Sequence, residues 1–589
     1  MRRFVALLVV AGCLMLTACA SGGGGGPASS GTTTPPPPPP PPPPPNTSLT
    51  ALHSSQTFAG AAPRIIGQIG NSSGAVQDFS PGNANVSVSY DATSNSYSVT
   101  FAGAPAGSET FAATTKDASS TAGMAVYKTT NGAVSETLTL TSQSPSSGAA
   151  FNYVAAGSWR RDQQNSTEDD AFYQPFVYGF PTGSTPHSGS AGYNVDVDGF
   201  IAFDNKPPRT TAGTGVFNAD FLSGLFSLNA SVTETNQVTG AVGETAPLTS
   251  SGHLASDGSF TGAIAFASAD SAYTGTLNGA LYGPQASEVG ATFLVSTVDG
   301  AFAGSVIGTQ NSSGVAENLS LSNPLVTQQF AARDVVVGED ILTVGGPAIQ
   351  HVTTFTLNPG GGGTYQTVSG LAASLAATDQ VSDPGSPYAV YRNGIPQGAE
   401  ELDLYKPGAA NDELALSYAG FGEWSLSNPS DPNSPRQEFF TYGLVTPYWT
   451  MTTKTGTAQY SGVIHGGAEV EGTSVRYDLS GTVNYSMNFS AQSYTGILAI
   501  QGVNLAGGAS RDFGVFNVSG DPAFLNAGNV FPAFDFTQTS QNGVNVGYLS
   551  NRFFGPTGEE IAGVFNITVG GGSGPPTTNL AGVAVAKRN

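Results

Sequence analysis

The sequence predicts an all-β protein made of two homologous lobes, each ending in an antiparallel β-barrel. Three observations predict this fold class. From about Thr50 onward, apolar and polar residues alternate with a period of two, in runs broken by Gly, Asn, Asp and Ser. Windows with helical periodicity are scarce. A set of aromatic and glycine markers occurs twice, in the same order, about half a chain apart.

The amino-terminal residues indicate an export signal. Arg2 and Arg3 form a positive segment, and the apolar run 4–16 is too short to cross a bilayer of roughly 30 Å. The run closes in "LTAC", which is similar to the lipobox of bacterial lipoproteins and makes Cys19 the lipidated residue. Ala20 is not the Asp that retains such proteins at the inner membrane, so we expect an outer-membrane location. An ordinary secretory signal is the alternative.

The next stretch predicts a tether. "SGGGGGPASSGTTTPPPPPPPPPPP" joins a flexible glycine-rich segment to a polyproline II rod of roughly 3.1 Å per residue. Cys13 lies in the signal and Cys19 would carry lipid, so the folded part has no cysteine and forms no disulfide. Its stability must come from a buried core, and the lipid is the only membrane attachment that we expect.

The charge balance narrows the choice of partners. Removal of the signal leaves 17 basic residues against 41 acidic ones, a net charge near −24. Nucleic acid and anionic membrane surfaces are therefore poor partners, whereas a basic protein is a plausible one. Solubility at a crowded surface is an equally simple reason for the charge.

The repeated markers divide the chain into two lobes. They are separated by 264 to 272 residues, and their order is the same in both halves. The pairs are Glu136, Leu138 and Leu140 with Glu400, Leu402 and Leu404; "YVAAGSW" (153–159) with "YAGFGEW" (418–424); Tyr178-Gly179 with Tyr442-Gly443; and "YGPQASEVGATF" (282–293) with "FGPTGEEIAGVF" (554–565). A propeller or solenoid would need many shorter repeats, so the pattern favours two homologous lobes.

Each lobe has two parts. The first carries the Tyr and Trp markers and irregular, proline-containing loops. The second is a series of strands over about 120 residues, closing with "GAFAGSVIGT" in one lobe and "NLAGVAVAKRN" in the other. A long antiparallel series closes most simply into a barrel, which removes exposed edges, and roughly eight strands give an interior that side chains just fill.

The end of each strand series resembles the transferrin-binding protein B family of surface lipoproteins. The family pairs a handle domain with an eight-stranded barrel in each lobe and ends each barrel in a similar aromatic-Gly-Pro and Glu-aliphatic motif. "GTAQYSGVIHG" (456–466) resembles the family's barrel opening. The motif residues, to which we assign a structural role, are Tyr282, Gly283, Pro284, Glu288, Phe293, Phe554, Gly555, Pro556, Glu560 and Phe565.

The resemblance implies export, two handle-and-barrel lobes and a binding role. The predicted domains are a signal peptide at 1–18, a tether at 19–49, a first handle at 50–190, a first barrel at 191–320, a second handle at 321–450 and a second barrel at 451–589. The implied function is the capture of a protein or carrier-bound ligand, such as an iron or haem carrier, alongside an outer-membrane transporter. A structural or adhesive surface lipoprotein without cargo is the alternative.

Motifs for catalysis or metal binding are weak. The five histidines (His53, His187, His253, His351 and His465) are widely separated and are expected on the surface or in strands. "GNSSG" (70–74) matches a nucleophile elbow, but a turn-rich segment follows it instead of a helix. "NVDVDG" (194–199) begins like a calcium loop, but Asn205 stands where a bidentate Glu is required, so a strand is favoured. The sequence therefore predicts neither an enzyme nor a cofactor.

Four further expectations concern local structure. Glu288 and Glu560 are expected to be solvated beside the Gly-Pro turn. The adjacent Glu559 and Glu560 are not expected to form an acid/base pair, because Ser287 stands in the place of Glu559 in the other lobe. Trp159 and Trp424 are expected in the handle cores, with an interface role as the alternative. Two non-repeated loops are candidates for ligand contacts, "RRDQQNSTEDDAFYQPF" (160–176) and "NPSDPNSPRQEFF" (428–440). "LAASLAATDQ" (371–380), with Ser369 as its cap, predicts one short helix.

Overall fold

The structure is a computed structural model of the 589-residue chain, in which residues 46–589 form one compact unit. It describes residues 45–102, 107–186, 188–269, 272–338, 351–366, 372–383, 385–395, 398–428, 431–447, 450–451, 454–520, 537–539, 546–570 and 577–589. Cys19, His187 and Ser369 lie outside the described residues.

Four antiparallel sheets follow one another along the chain, a handle sheet and a barrel in each lobe. The first handle sheet has the spatial order β4-β3-β2-β1-β8-β7-β6-β5. Its strands are β1 (Gln56–Gly70), β2 (Val76–Asp91), β3 (Ser96–Phe101), β4 (Gly107–Phe111), β5 (Met124–Asn131), β6 (Val134–Thr141), β7 (Val154–Gln163) and β8 (Glu168–Gly179). The "GNSSG" stretch is the turn between β1 and β2, as expected.

The first barrel is closed, because its first strand pairs with both its second and its last. Its strands are β9 (Ser190–Phe203), β10 (Arg209–Asp220), β11 (Leu225–Asn236), β12 (Val242–Leu254), β13 (Ser259–Ala267), β14 (Ala272–Tyr282), β15 (Glu288–Ser296) and β16 (Gly300–Gln310). Val195 and Val197 of β9 point into the apolar interior, and Asp196 between them points outward. The "NVDVDG" stretch is thus a strand, as predicted.

The second handle sheet repeats the order of the first, with one short strand added at an edge: β20-β19-β18-β17-β25-β24-β23-β22-β21. Its strands are β17 (Gln328–Val336), β18 (His351–Leu357), β19 (Gly362–Gln366), β20 (Ala372–Ala376), β21 (Gln380–Val381), β22 (Tyr388–Ile395), β23 (Gly398–Tyr405), β24 (Ala419–Asn428) and β25 (Asp431–Gly443).

The second barrel is nearly closed. β26 pairs with both β27 and β33, and β30 contacts β31. The strands are β26 (Thr457–Val470), β27 (Arg476–Asn488), β28 (Ser493–Asn504), β29 (Ser510–Gly520), β30 (Thr537–Thr539), β31 (Val546–Phe554), β32 (Glu560–Val569) and β33 (Thr578–Arg588). Short 3₁₀ turns lie at Leu49–Ala51, Ala113–Thr115, Pro284–Ala286 and Ala377–Asp379.

This architecture confirms the predicted fold class, all-β with two homologous lobes of one handle and one barrel each. The order of the four sheets along the chain is that of the predicted domains, and the domain boundaries themselves stay a prediction.

The predicted helix at 371–380 is wrong. Its described residues form β20, one 3₁₀ turn and the short strand β21. Ala373 and Leu375 are buried on one face, and β20 completes the edge of the sheet by pairing with β19. Burial of alternate residues against the handle core therefore outweighs the high helix propensity of alanine and leucine.

The two stretches predicted as unique loops are also different in the structure. Residues 160–176 belong mostly to β7 and β8, and residues 428–440 to β24 and β25. Both stretches are hairpins at equivalent places in the two handle sheets, each beside the strand that opens its sheet. The polar residues of 160–170 are at least partly exposed, whereas Gln174 and Glu438 are buried, a mixture that sequence alone did not distinguish from a loop.

Candidate binding site

The doubled Gly-Pro motif joins the barrel to the handle in each lobe. Gly283 and Gly555 adopt positive φ angles of 73° and 88°, which favour glycine. The N–H of Gly283 donates to the carbonyl of Phe180 (3.0 Å), just after the last handle strand. The N–H of Gly555 donates in the same way to the carbonyl of Leu444 (2.8 Å). The motif is therefore a connection between the two domains of a lobe.

Glu288 and Glu560, expected to be solvated, are buried at this joint. They are 2% and 0% exposed. The Glu288 carboxylate accepts hydrogen bonds from the backbone N–H groups of Asn152, Tyr153 and Val154 at 2.7–2.8 Å, across 134 to 136 residues of sequence. A hydrogen bond that a charged carboxylate accepts is stronger than one between neutral groups. Three such bonds therefore compensate the Glu288 carboxylate for its removal from water.

Glu560 accepts the same set of three backbone hydrogen bonds, here called the glutamate clamp, in the second lobe. It accepts from the N–H groups of Ser417, Tyr418 and Ala419 at 2.7–2.9 Å. Burial raises the pKa of Glu560, while the three N–H groups and Lys587 oppose that rise. The expectation of solvated glutamates was wrong because the handle segment that covers them is far away in sequence.

The tyrosine of another repeated marker lies at the same joint in each lobe. A Cβ on Gly283 would lie 2.4 Å from the Tyr153 ring, and one on Gly555 would lie 2.7 Å from the Tyr418 ring. Tyr153 and Tyr418 are the first residues of the two Tyr-x3-Gly-x-Trp markers. In each lobe this tyrosine ring packs against a glycine that leaves no room for a side chain. Trp159 and Trp424 lie in the handle cores, 2% and 1% exposed, as expected.

Beside the joint of the first lobe lies a cleft of about 630 Å³, here called the N-lobe cleft. One wall is the outer face of the barrel and the other is the handle. The barrel wall contains Asp196, Asp198, Thr214, Ser231, Thr233, Thr245 and Ser305, and the handle wall contains Thr139, Thr141, Ser146 and Ser158. Two carboxylates and many hydroxyls thus face one space, and no lysine or arginine is among the described residues that line it.

The two aspartates differ in their surroundings. Asp196 is 8% exposed, and no hydrogen bond or ion pair joins its side chain to another described residue. Asp198 is exposed inside the cleft, and partial loss of solvation against the neighbouring protein raises its pKa to about 6.

The equivalent place in the second lobe is filled. Tyr193 and Tyr460 both donate to a backbone carbonyl of their Gly-Pro segment at 2.6 Å, which makes them equivalent positions. Counting onward from each tyrosine, His465 corresponds to Asp198. Its Nε2 lies 3.0 Å from Glu413 Oε1, and its ring stacks on Phe421 with centroids 5.5 Å apart.

Carboxyl groups of the second handle lie near this histidine. Burial is the largest cause that raises the pKa of Asp403 and of Glu423 to about 7 each. Contact with His465 lowers the pKa of Glu413. The second lobe thus buries acidic groups in its handle where the first lobe has the hydroxyls of Thr139 and Ser158.

A second concavity, the interlobe groove, has a volume of about 590 Å³. It lies between the first barrel, the linker after it and the second lobe, and its lining includes Gly555 and Pro556. Leu225 of the first barrel packs into the same apolar cluster as Tyr418. The linker is attached to the barrel, since Glu317 accepts hydrogen bonds from Ser227 (2.5 Å) and Asn229 (2.9 Å).

Two further properties of the described residues concern metal binding and membrane crossing. Among the described residues, no three His, Cys, Asp or Glu side chains are grouped closely enough to hold a metal ion. The same residues contain no helix with the length and hydropathy that a membrane crossing needs.

No model of a known protein family and no curated protein matches this chain. Several solved structures are similar to it. A double mutant of the vaccine antigen transferrin-binding protein B from Haemophilus parasuis Hp5 covers 89% of this chain and 95% of its own, at 14% identity and a TM-score of 0.28. Isotype 1 transferrin-binding protein B from serogroup B Neisseria meningitidis covers 75% and 86%, at 16% identity and a TM-score of 0.23.

The N-lobe domain of lactoferrin-binding protein B from Moraxella bovis covers 32% of this chain and 79% of its own, at 13% identity and a TM-score of 0.19. The family that the doubled motif resembles in sequence is thus also represented among the similar structures. The two-lobed fold itself is defined by the strand pairing.

Replacement of the clamp carboxylate is expected to weaken each lobe. Glu288→Gln retains the shape of the side chain but leaves one oxygen to accept, and its amide N–H₂ faces N–H donors, so at least one buried donor loses its partner. We expect a loss of about 2–4 kcal/mol in the free energy of unfolding of the first lobe. Glu560→Gln should do the same to the second lobe. Calorimetric unfolding measures both.

The control for this prediction is Asp299→Asn, which makes the same charge change at an exposed turn of the same barrel. It should stay within about 0.5 kcal/mol of the parent. Equal stability of Glu288→Gln, Glu560→Gln and the control would contradict a role for the clamp.

The raised pKa of Glu423 predicts that the folded chain loses stability as this carboxyl group ionises. An acid with a higher pKa in the folded chain binds its proton more tightly there, so stability falls as pH rises from about 4.5 to about 7. Glu423→Gln cannot ionise and can still accept from Gln437, which donates to Glu423 at 2.7 Å. We expect it to be more stable than the parent by about 1–3 kcal/mol at pH 8, and equal to it at pH 4.

Denaturant unfolding of both proteins at the two pH values measures this difference. Glu471→Gln, at an exposed position in the same lobe, provides the matched control and should follow the parent at both. If Glu423→Gln differed from the parent by the same amount at pH 4 and pH 8, ionisation of this group would not be the cause.

Proposed function

We propose that the protein is a lipid-anchored binding protein of the outer membrane, exposed at the cell surface, that captures a protein or carrier-bound ligand such as an iron or haem carrier. Cys19 would carry the lipid, and the tether at 19–49 would hold the two lobes away from the membrane. A transporter in the outer membrane would receive the cargo. The protein would act by recognition, without catalysis and without a cofactor.

The observation that carries this proposal is the pair of large concavities beside rigid joints. Volumes of about 630 and 590 Å³ lie in the range of about 300–1,000 Å³ that ligand sites occupy. Neither lining includes a histidine, lysine or cysteine among the described residues. Clefts that rigid sheets hold open suit recognition, because little order is lost on binding.

Binding of iron carriers tests the proposal directly. The purified full-length protein is immobilised, and transferrin, lactoferrin and haemoglobin are passed over it, each with and without its iron or haem. We expect saturable 1:1 binding of one carrier, and a faster association at low salt because the chain is strongly acidic. Serum albumin is the control protein. No saturable binding, together with an attachment defect of cells that lack the protein, would instead support the adhesive alternative.

The lipid anchor has its own test. Cells that express the protein are labelled with an alkyne analogue of palmitate, and the purified protein is examined for the label. Cys19→Ala should lose the label, whereas Cys13→Ala, which changes the other cysteine, should keep it. A labelled Cys19→Ala protein would contradict the anchor. Protease treatment of intact cells then distinguishes the cell surface, where we expect the lobes to be digested, from the periplasmic face.

A further inference from the structure

The N-lobe cleft contains an unusual pair of carboxylates. Asp196 and Asp198 stand on the outward face of β9, two residues apart, with Val197 between them in the barrel core. A strand advances about 3.3 Å per residue, so the two side chains start about 7 Å apart on one wall. Burial of a carboxylate costs free energy unless an opposite charge or hydrogen bonds compensate it.

Among the described residues, no lysine or arginine lines the cleft to supply that compensation. Asp196 is nine-tenths buried and unpartnered within the described structure, and it lines the cleft. Arg209 of the neighbouring strand β10 is paired with Glu234, and Arg160 of β7 binds Asp162 (2.8 Å) and Gln237 (2.8 Å). Arg161 lies 3.6 Å from Glu136. Those guanidinium groups are engaged with other partners, so the cleft has a net negative charge.

The second lobe shows that these carboxylates are not needed by the fold. At the positions equivalent to Asp196 and Asp198, it has Val463 and His465 on the outward face of β26. There the histidine is covered by the handle, with Glu413 and aromatic rings against it. The same barrel and the same joint therefore form with a valine and a paired histidine, and the aspartates serve something other than barrel assembly.

We propose that the N-lobe cleft is a binding subsite for a cationic side chain, an arginine or lysine on a protruding loop of a protein ligand. This inference deepens the proposed function and rests on it for the identity of the ligand as a protein. The carboxylates of Asp196 and Asp198 pair with the cation, and the surrounding hydroxyls accept its remaining N–H bonds. An arginine has five such donors, which suits a wall of serine and threonine oxygens.

The dimensions favour such a group over a bare metal ion. A calcium or magnesium ion holds its oxygen ligands within about 2.6 Å, which requires several oxygens to converge on one point. The two aspartates are spaced along a strand, and no metal-holding group of acidic residues is found among the described residues. A volume of about 630 Å³ takes the end of a loop, and the acidic chain would attract a basic partner.

The experiment uses short peptides as probes of the full-length protein. Acetyl-Gly-Arg-Gly-amide, its lysine counterpart and its uncharged glutamine counterpart are titrated calorimetrically. We expect 1:1 binding of the arginine or lysine peptide and none of the glutamine peptide. Asp196→Asn and Asp198→Asn should each weaken the binding about tenfold or more. Asp299→Asn, the exposed control in the same barrel, should leave it unchanged.

A further variant fills the site from within the chain. Thr214 is exposed toward the cleft and pairs in register with Asp196, so Thr214→Lys places an ammonium group beside that carboxylate. Thr214→Lys should abolish peptide binding, and the variant should be at least as stable as the parent. Loss of the site is thereby distinguished from loss of the fold. Thr233→Ser, on the same wall, is the conservative control and should bind the peptides normally.

Three results would overturn the inference. They are equal binding of the glutamine peptide, equal weakening by Asp299→Asn, and stoichiometric binding of Ca²⁺ or Mg²⁺ that depends on Asp196 and excludes the peptides. Failure of this inference is distinct from failure of the proposed function. Saturable binding of a carrier protein that Asp196→Asn leaves unchanged would contradict the subsite alone. Binding of the peptides without binding of any carrier protein would support the subsite and contradict the proposed function.

Discussion

A buried glutamate that accepts three backbone hydrogen bonds is the interaction on which each lobe depends. Glu288 and Glu560 are the first residues of their strands, yet their partners belong to the handle segment that opens β7 or β24. A charge taken out of water is tolerated only where several donors surround it, so the clamp determines where the handle meets the barrel. The Gly-Pro turn beside it lets the backbone come close to the tyrosine ring of the same handle segment.

The clamp leaves the outer faces of the barrels free to diverge. Two residues on the first strand of each barrel decide the character of the adjacent space: Asp196 and Asp198 in one lobe, Val463 and His465 in the other. One space is an open cleft with uncompensated carboxylates, and the other is closed by stacked rings. The duplicated architecture thus differs between the two lobes at this place. The linker glutamate Glu317 attaches the linker to the first barrel.

Sequence reasoning was least successful where propensity and packing disagree. Alanine-rich residues 371–380 favour a helix locally, but the described part joins the edge of a sheet because the handle core buries its alternate residues. Hairpins at 160–176 and 428–440 have enough charged residues to resemble loops. The buried glutamates could have been suspected, since the motif keeps Glu at 288 and 560 while the preceding position changes from Ser287 to Glu559. Retention beside a variable neighbour points to a specific contact rather than to a solvated charge.

The sequence by itself determined the two lobes, their β-barrels, the absence of disulfides from the folded part and the motif that both barrels repeat. Period-two alternation identifies the face of a strand that enters a core, and the duplication identifies what both lobes share. Only the tertiary structure decided the environment of the opposite face. Whether an outward residue such as Asp196 or Glu288 is solvated depends on a handle segment that is far away in sequence. The local alternation of apolar and polar residues does not show that contact. The physical reason is that the cost of burying a charge is set by the atoms around it in space.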